Sequence, residues 1–175
     1  MARNTITIRD NNQHTEWLKK QLKILSKSVI NIGILGSEDA KIIMIASVNE
    51  FGAEINVTDK MRGFLASQGL YLKRSTTEIK IPERSFIRRT ADEKQRMIVT
   101  FIQKQYDKLF RGEINANQLL DAIGVYCEGI TKKTLVDLTE PANHPFTLAR
   151  KSPKTNPLVN TGTLVGRISF EVKKR

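Results

Sequence analysis

Few residues in this 175-residue chain are of types that do chemistry, and they are scattered. Nucleophilic catalysis needs a base, most often His, within hydrogen-bond distance of a Ser or Cys. The histidines are His14 and His144, and the single cysteine is Cys127. His144 lies between Asn143 and Pro145, where a local backbone contact or plain exposure is the simpler expectation. Cys127 falls on the apolar stripe of a helical pattern, where a thiol behaves as a small core hydrophobe. Two distant histidines and one cysteine fall short of the three or four convergent ligands of a zinc site. The acidic pairs Glu38-Asp39 and Asp92-Glu93 read as a turn and as an exposed helix face. Gly33-Ile34-Leu35-Gly36 lacks the third glycine of a dinucleotide fingerprint and the Gly-Lys-Ser/Thr of a phosphate loop. A hairpin turn accounts for it better. The expectation is a non-enzymatic protein with no catalytic residue, metal or cofactor.

Charge is the strongest compositional signal. Lys and Arg number 29 against 18 Asp and Glu, a net charge of +11. Residues 1–59 carry 7 basic and 7 acidic groups, and residues 90–149 carry 7 and 8. The whole excess sits in residues 60–89, with 8 basic and 2 acidic, and in residues 150–175, with 7 and 1. Such segments could neutralise phosphates, which requires charge and little pattern. Readers of single strands interleave aromatics with the basic groups, and aromatics are only 6% of this chain. The candidate residues facing DNA or a protein partner are Lys60, Arg62, Lys73, Arg74, Arg150, Lys151 and Lys154. One cysteine excludes an internal disulfide. No run approaches the roughly 18 apolar residues of a membrane span. The N-terminal stretch lacks the apolar core of a signal peptide, so a cytoplasmic protein is expected.

The elements that must position these residues follow from hydrophobic period. Trp17, Leu18, Leu22 and Leu25 predict a helix over Thr15–Ser26, capped by Thr15 or Asn12. Ile30, Ile32 and Ile34 alternate in a strand over Ser28–Leu35. Lys41–Ile45 reads as a second strand pairing with it in a hairpin, and Ala46–Phe51 as a short helix ending at Gly52. Residues 53–81 show no sustained period and read as a long arm, with a short strand at 76–81. From Phe86 an amphipathic helix of over twenty residues runs to Arg111-Gly112. Asn115 caps a second helix carrying Leu119, Ile123, Cys127 and Val136, antiparallel to the first. Gly124 and Gly129 inside it imply close packing. Four prolines make 139–160 extended, and Ile168–Val172 alternates as a closing strand. The reading is one α+β domain over 1–175. A small antiparallel sheet is packed by an N-terminal helix and a long helix pair, with extended arms at 53–81 and 140–160.

Three stretches resemble a known pattern. They are Asn49-Glu50-Phe51-Gly52; Ile81-Pro82-Glu83-Arg84-Ser85-Phe86-Ile87-Arg88; and Asn156-Pro157-Leu158-Val159-Asn160-Thr161-Gly162-Thr163-Leu164. In that order and spacing they resemble the tail-component, virion-morphogenesis family of tailed bacteriophages, the neck and tail-completion proteins. Lys60–Ala66 resembles the basic arm of its Mu-like members. Ser85, Glu83 and Asn160 replace the family's usual proline, alanine and aspartate. The motif residues are Glu50, Phe51, Gly52, Pro82, Arg84, Phe86, Pro157, Leu158, Thr161, Gly162 and Leu164.

The resemblance implies a structural virion protein that forms an oligomeric ring at the head–tail junction. Its partners would be copies of itself, the portal or adaptor, and the tail tube or tail terminator protein. Non-specific contact with genomic DNA would be possible there, and no membrane is involved. A tail terminator capping the tube is the alternative within that reading, and a basic DNA-binding protein the alternative outside it. The motifs also have readings as residues. Phe51-Gly52 is an aromatic anchor with a flexible joint, Pro82 fixes the angle into a helix, Phe86 and Leu164 enter the core, and Thr161 bonds its own backbone.

Overall fold

The computed structural model describes residues 12–36, 38–151 and 156–175. An N-terminal helix α1 (Asn12–Leu25) leads through a tight turn into strand β1 (Ser28–Ile34). Trp17, Leu18 and Leu25 of α1 face the core, while Leu22 stays out. β1 is where the expected strand lies, but its partner is not residues 41–45. It pairs in antiparallel register with β4 (Ile168–Lys174), Ile32 opposite Phe170, so the sheet joins the two ends of the chain.

Residues 41–45 are instead the first half of helix α2 (Ala40–Phe51). The Asp39 side chain accepts a hydrogen bond from the Lys41 N–H at 2.7 Å and so caps the helix. A short apolar run fits a buried strand and a buried helix equally well by period. The Asp39 cap and the length of the run decide for the helix, and Gly33–Gly36 is the strand-to-helix connection rather than a hairpin turn. The second half of α2 and its end at Gly52 are as expected.

The 53–81 segment is folded, contrary to the extended arm expected. Strands β2 (Ala53–Asn56) and β3 (Glu78–Ile81) form an antiparallel hairpin, and helix α3 (Asp59–Ser67) lies within its loop. Thr58 caps α3 by accepting from the Met61 N–H at 3.2 Å. One turn pair and a nine-residue helix are too short to impose a visible hydrophobic period.

Helix α4 (Phe86–Phe110) and helix α5 (Ala116–Asp137) are the long antiparallel pair. Asn115 and Gln118 form a reciprocal capping box at the start of α5. Gly124 lies against the Phe170 ring, where a Cβ would come within 2.1 Å of ring carbon, so α5 and β4 meet there closely. Gly129 faces open space, and the expected packing does not exist at that position.

The 140–160 segment contains helix α6 (Pro145–Lys151), with proline at its first position where the missing N–H costs nothing. A four-residue helix α7 (Thr163–Gly166) precedes β4. Two apolar clusters make the core. Leu109, Leu119, Ile123 and Cys127 form one beneath β1 and α1. Ala46, Phe86, Leu135, Leu138, Leu158, Leu164 and Ile168 form the other. Helix α5 runs through both, and the fold is α+β.

Candidate functional site

The second cluster is where the three motif stretches meet. Helix α4 starts at Phe86, whose side chain is fully buried, and its first N–H groups need acceptors. Ser85 occupies the capping position but makes no side-chain bond. Glu50, at the end of α2 and only 4% exposed, supplies them from a distant part of the chain. Its carboxylate accepts from the Ile87 N–H at 3.0 Å and from the Arg88 N–H at 2.9 Å. A negative group at a helix N-terminus is favoured by the helix dipole as well.

Arg88 closes the joint from outside. Its guanidinium donates to the Glu50 carbonyl at 2.5 Å, pairs with Glu83 at 2.8 Å and lies 4.9 Å from the centre of the Phe51 ring. Phe51 itself is exposed. Gly52 is not a flexible joint. Its φ is 73°, and a Cβ there would lie 3.0 Å from the Ile81 carbonyl oxygen, so glycine is needed for a fixed close approach. Pro82 is exposed at the start of the same connection.

Arg84 is 5% exposed and joins the first two motifs to the segment after α5. Its N–H donates to the Asn49 carbonyl at 2.7 Å. Its side chain donates to the carbonyls of Pro141 at 2.7 Å and Ala142 at 3.0 Å. Burial holds its pKa below the ordinary arginine value.

The third motif is pinned by amides. Asn156 donates to the carbonyls of Val136 at 2.6 Å and Leu138 at 3.1 Å, and accepts from the N–H groups of Leu158 and Val159 at 2.8 Å. Asn143 and Lys151 donate to the Pro157 carbonyl. Pro157, Leu158 and Leu164 are buried. The Thr161 hydroxyl lies 2.6 Å from that of Thr163 and accepts from its N–H at 3.4 Å, around Gly162 at φ 84°. Thr161 thus bonds its own backbone as expected. Asn49, Arg88, Asn143 and Asn156 were not singled out by the sequence. An asparagine before Pro157 is the visible signal, since Asn favours such local turns.

The basic candidates divide. Arg62 donates to the carbonyls of Leu72, Lys73 and Thr76 and braces the 53–81 arm from inside. Arg150 donates to the Gln68 carbonyl at 2.8 Å and to its side-chain oxygen at 3.0 Å, tying α6 to the arm. Lys151 serves the Asn156 and Pro157 carbonyls. Lys60, Lys73 and Arg74 are exposed and make no ion pair among the described residues. Lys154 lies outside the described residues. Much of the positive charge therefore serves to hold backbone carbonyls.

The residues considered for chemistry are placed apart. The His14 ring nitrogen contacts the Phe110 carbonyl at 3.0 Å and the ring stacks on Trp17. His144 accepts from the Phe146 N–H at 3.2 Å, the local backbone contact expected. Cys127 is buried, and burial pushes its thiol pKa up. Among the described residues, no three His, Cys, Asp or Glu side chains are grouped to hold a metal ion, and no helix is long and apolar enough to cross a membrane. A cleft of about 510 Å³ opens between α2 and the 157–164 loop, with Ile42, Ile45, Leu158 and Leu164 inside and Asn49 and Thr163 among its polar groups. Such a lining suits an apolar side chain with a polar tip. Comparison with family models, with curated proteins and with solved structures finds no match for the chain.

Proposed function

We propose that this chain is a structural virion protein of a tailed phage, forming a ring at the head–tail junction that joins the head connector to the tail. The observation that carries the reading is the convergence of the three motif stretches. Glu50 caps the helix that Arg84 and Phe86 open, and Leu158 and Leu164 pack in the same cluster as Phe86. Segments that resemble one family in order and spacing also form one joint, from which the 53–81 arm projects. The protein acts by association, through its folded surface. Lys60, Lys73 and Arg74 give the arm a positive face that meets either a protein partner or the DNA passing through the ring.

Sedimentation combined with salt-titrated binding to duplex DNA tests this. The reading expects a ring-sized oligomer and weak, sequence-independent DNA contact. Tight binding by a monomer, with a steep salt slope and no ring, would replace it with the DNA-binding reading.

A further inference from the structure

We propose that the 53–81 arm of one copy seats Phe64 and Tyr71 in the cleft between α2 and the 157–164 loop of a second copy. The inference rests on the ring reading above and names the contact that builds it. Tyr71 is 81% exposed and Phe64 62% exposed. Both sit on an arm whose shape is already fixed, by the three carbonyl bonds of Arg62, the close approach at Gly52 and the tie from Arg150 to Gln68. Large apolar side chains held out on a braced support are costly to leave in water and lose little freedom on docking.

The surface area points the same way. The chain exposes 12596 Å², whereas a compact monomer of 19.9 kDa exposes about 8,700 Å². Allowing every residue outside the described set the roughly 165 Å² of unfolded chain still leaves an excess of about 1,300 Å². A standard interface takes about 800 Å² from each partner, and a ring subunit makes two such contacts. The cleft offers an apolar interior for the rings, and the Asn49 amide and Thr163 hydroxyl for the Tyr71 hydroxyl. Arm and cleft are different surfaces of the same chain, so the contact is head-to-tail, the kind that closes into rings.

Mixing a Tyr71→Cys variant with a Thr163→Cys variant under mild oxidation tests the contact. Cys127 is buried and does not compete. The expected result is a disulfide-linked pair in the mixture and none in either variant alone, with wild type sedimenting as an oligomer. In addition, Phe64→Ala/Tyr71→Ala, which removes only exposed side chains, is expected to stay folded by circular dichroism and sediment as a monomer. A wild-type oligomer without the mixed pair overturns the docking and leaves the ring. A wild-type monomer without the pair overturns both.

Discussion

Glu50 is the residue whose removal best tests the joint. Replacing it with Ala deletes two charge-assisted hydrogen bonds to the first turn of α4 and leaves the Ile87 and Arg88 N–H groups without their acceptors. Bonds to charged groups contribute about 1.5–3 kcal/mol each, and a buried orphan donor costs about 1–3 kcal/mol. These overlap, and Arg88 stays half in solvent. A net loss of about 3–4 kcal/mol is expected, a large share of the roughly 5–15 kcal/mol that holds a domain. With a urea slope of about 2 kcal/mol/M, the unfolding midpoint falls by roughly 1.5–2 M. Glu50→Gln keeps one acceptor and turns an amide N–H₂ toward a donor, so about half of that loss is expected. Urea unfolding followed by circular dichroism measures both. A midpoint shift for Glu50→Ala below about 0.5 M, with the slope unchanged, would refute the capping role.

Three further outcomes follow from particular contacts. Gly124→Ala drives a Cβ into the Phe170 ring and should cost at least the roughly 1–3 kcal/mol of an overpacked core, whereas Gly129→Ala, facing open space, should stabilise by up to about 1 kcal/mol; thermal melts of the pair distinguish them. Arg84→Lys keeps the charge but loses the forked geometry that serves the Pro141 and Ala142 carbonyls, and should cost about 2 kcal/mol by the same unfolding assay. Hydrogen bonds from Lys173 and then Asn31 hold the Glu171 pKa below the ordinary carboxylate value. A folded pKa below the unfolded one contributes stability above the unfolded value, lost as pH falls through the folded one. Glu171→Gln should therefore lose less stability than wild type between neutral and acid pH, and identical pH profiles would contradict that pairing.

Legibility in the sequence followed the length of the signal. The α4–α5 pair was readable because over twenty residues of helical period accumulate in each, and Asn115 and Gly112 mark the break. The strand at 41–45 was misread because a run of five apolar residues carries no period, and the deciding bond is local, from Lys41 to Asp39. The β1 partner was missed because pairing with β4 spans nearly the whole chain, and nothing local encodes it. At the joint, Glu50, Arg84 and Phe86 were visible as a pattern, but their work was not. A carboxylate capping a helix that begins 36 residues later leaves no trace in sequence spacing. The charge excess was read as phosphate-facing because composition does not show that Arg62, Arg84 and Arg150 turn inward to carbonyls.

The central claim is a place at the head–tail junction. Negative-stain imaging of particles from an infection lacking this chain, with and without added purified protein, tests it most directly. The account predicts filled heads and finished tails lying apart, joined once the protein is restored. Joined virions formed in its absence would contradict it.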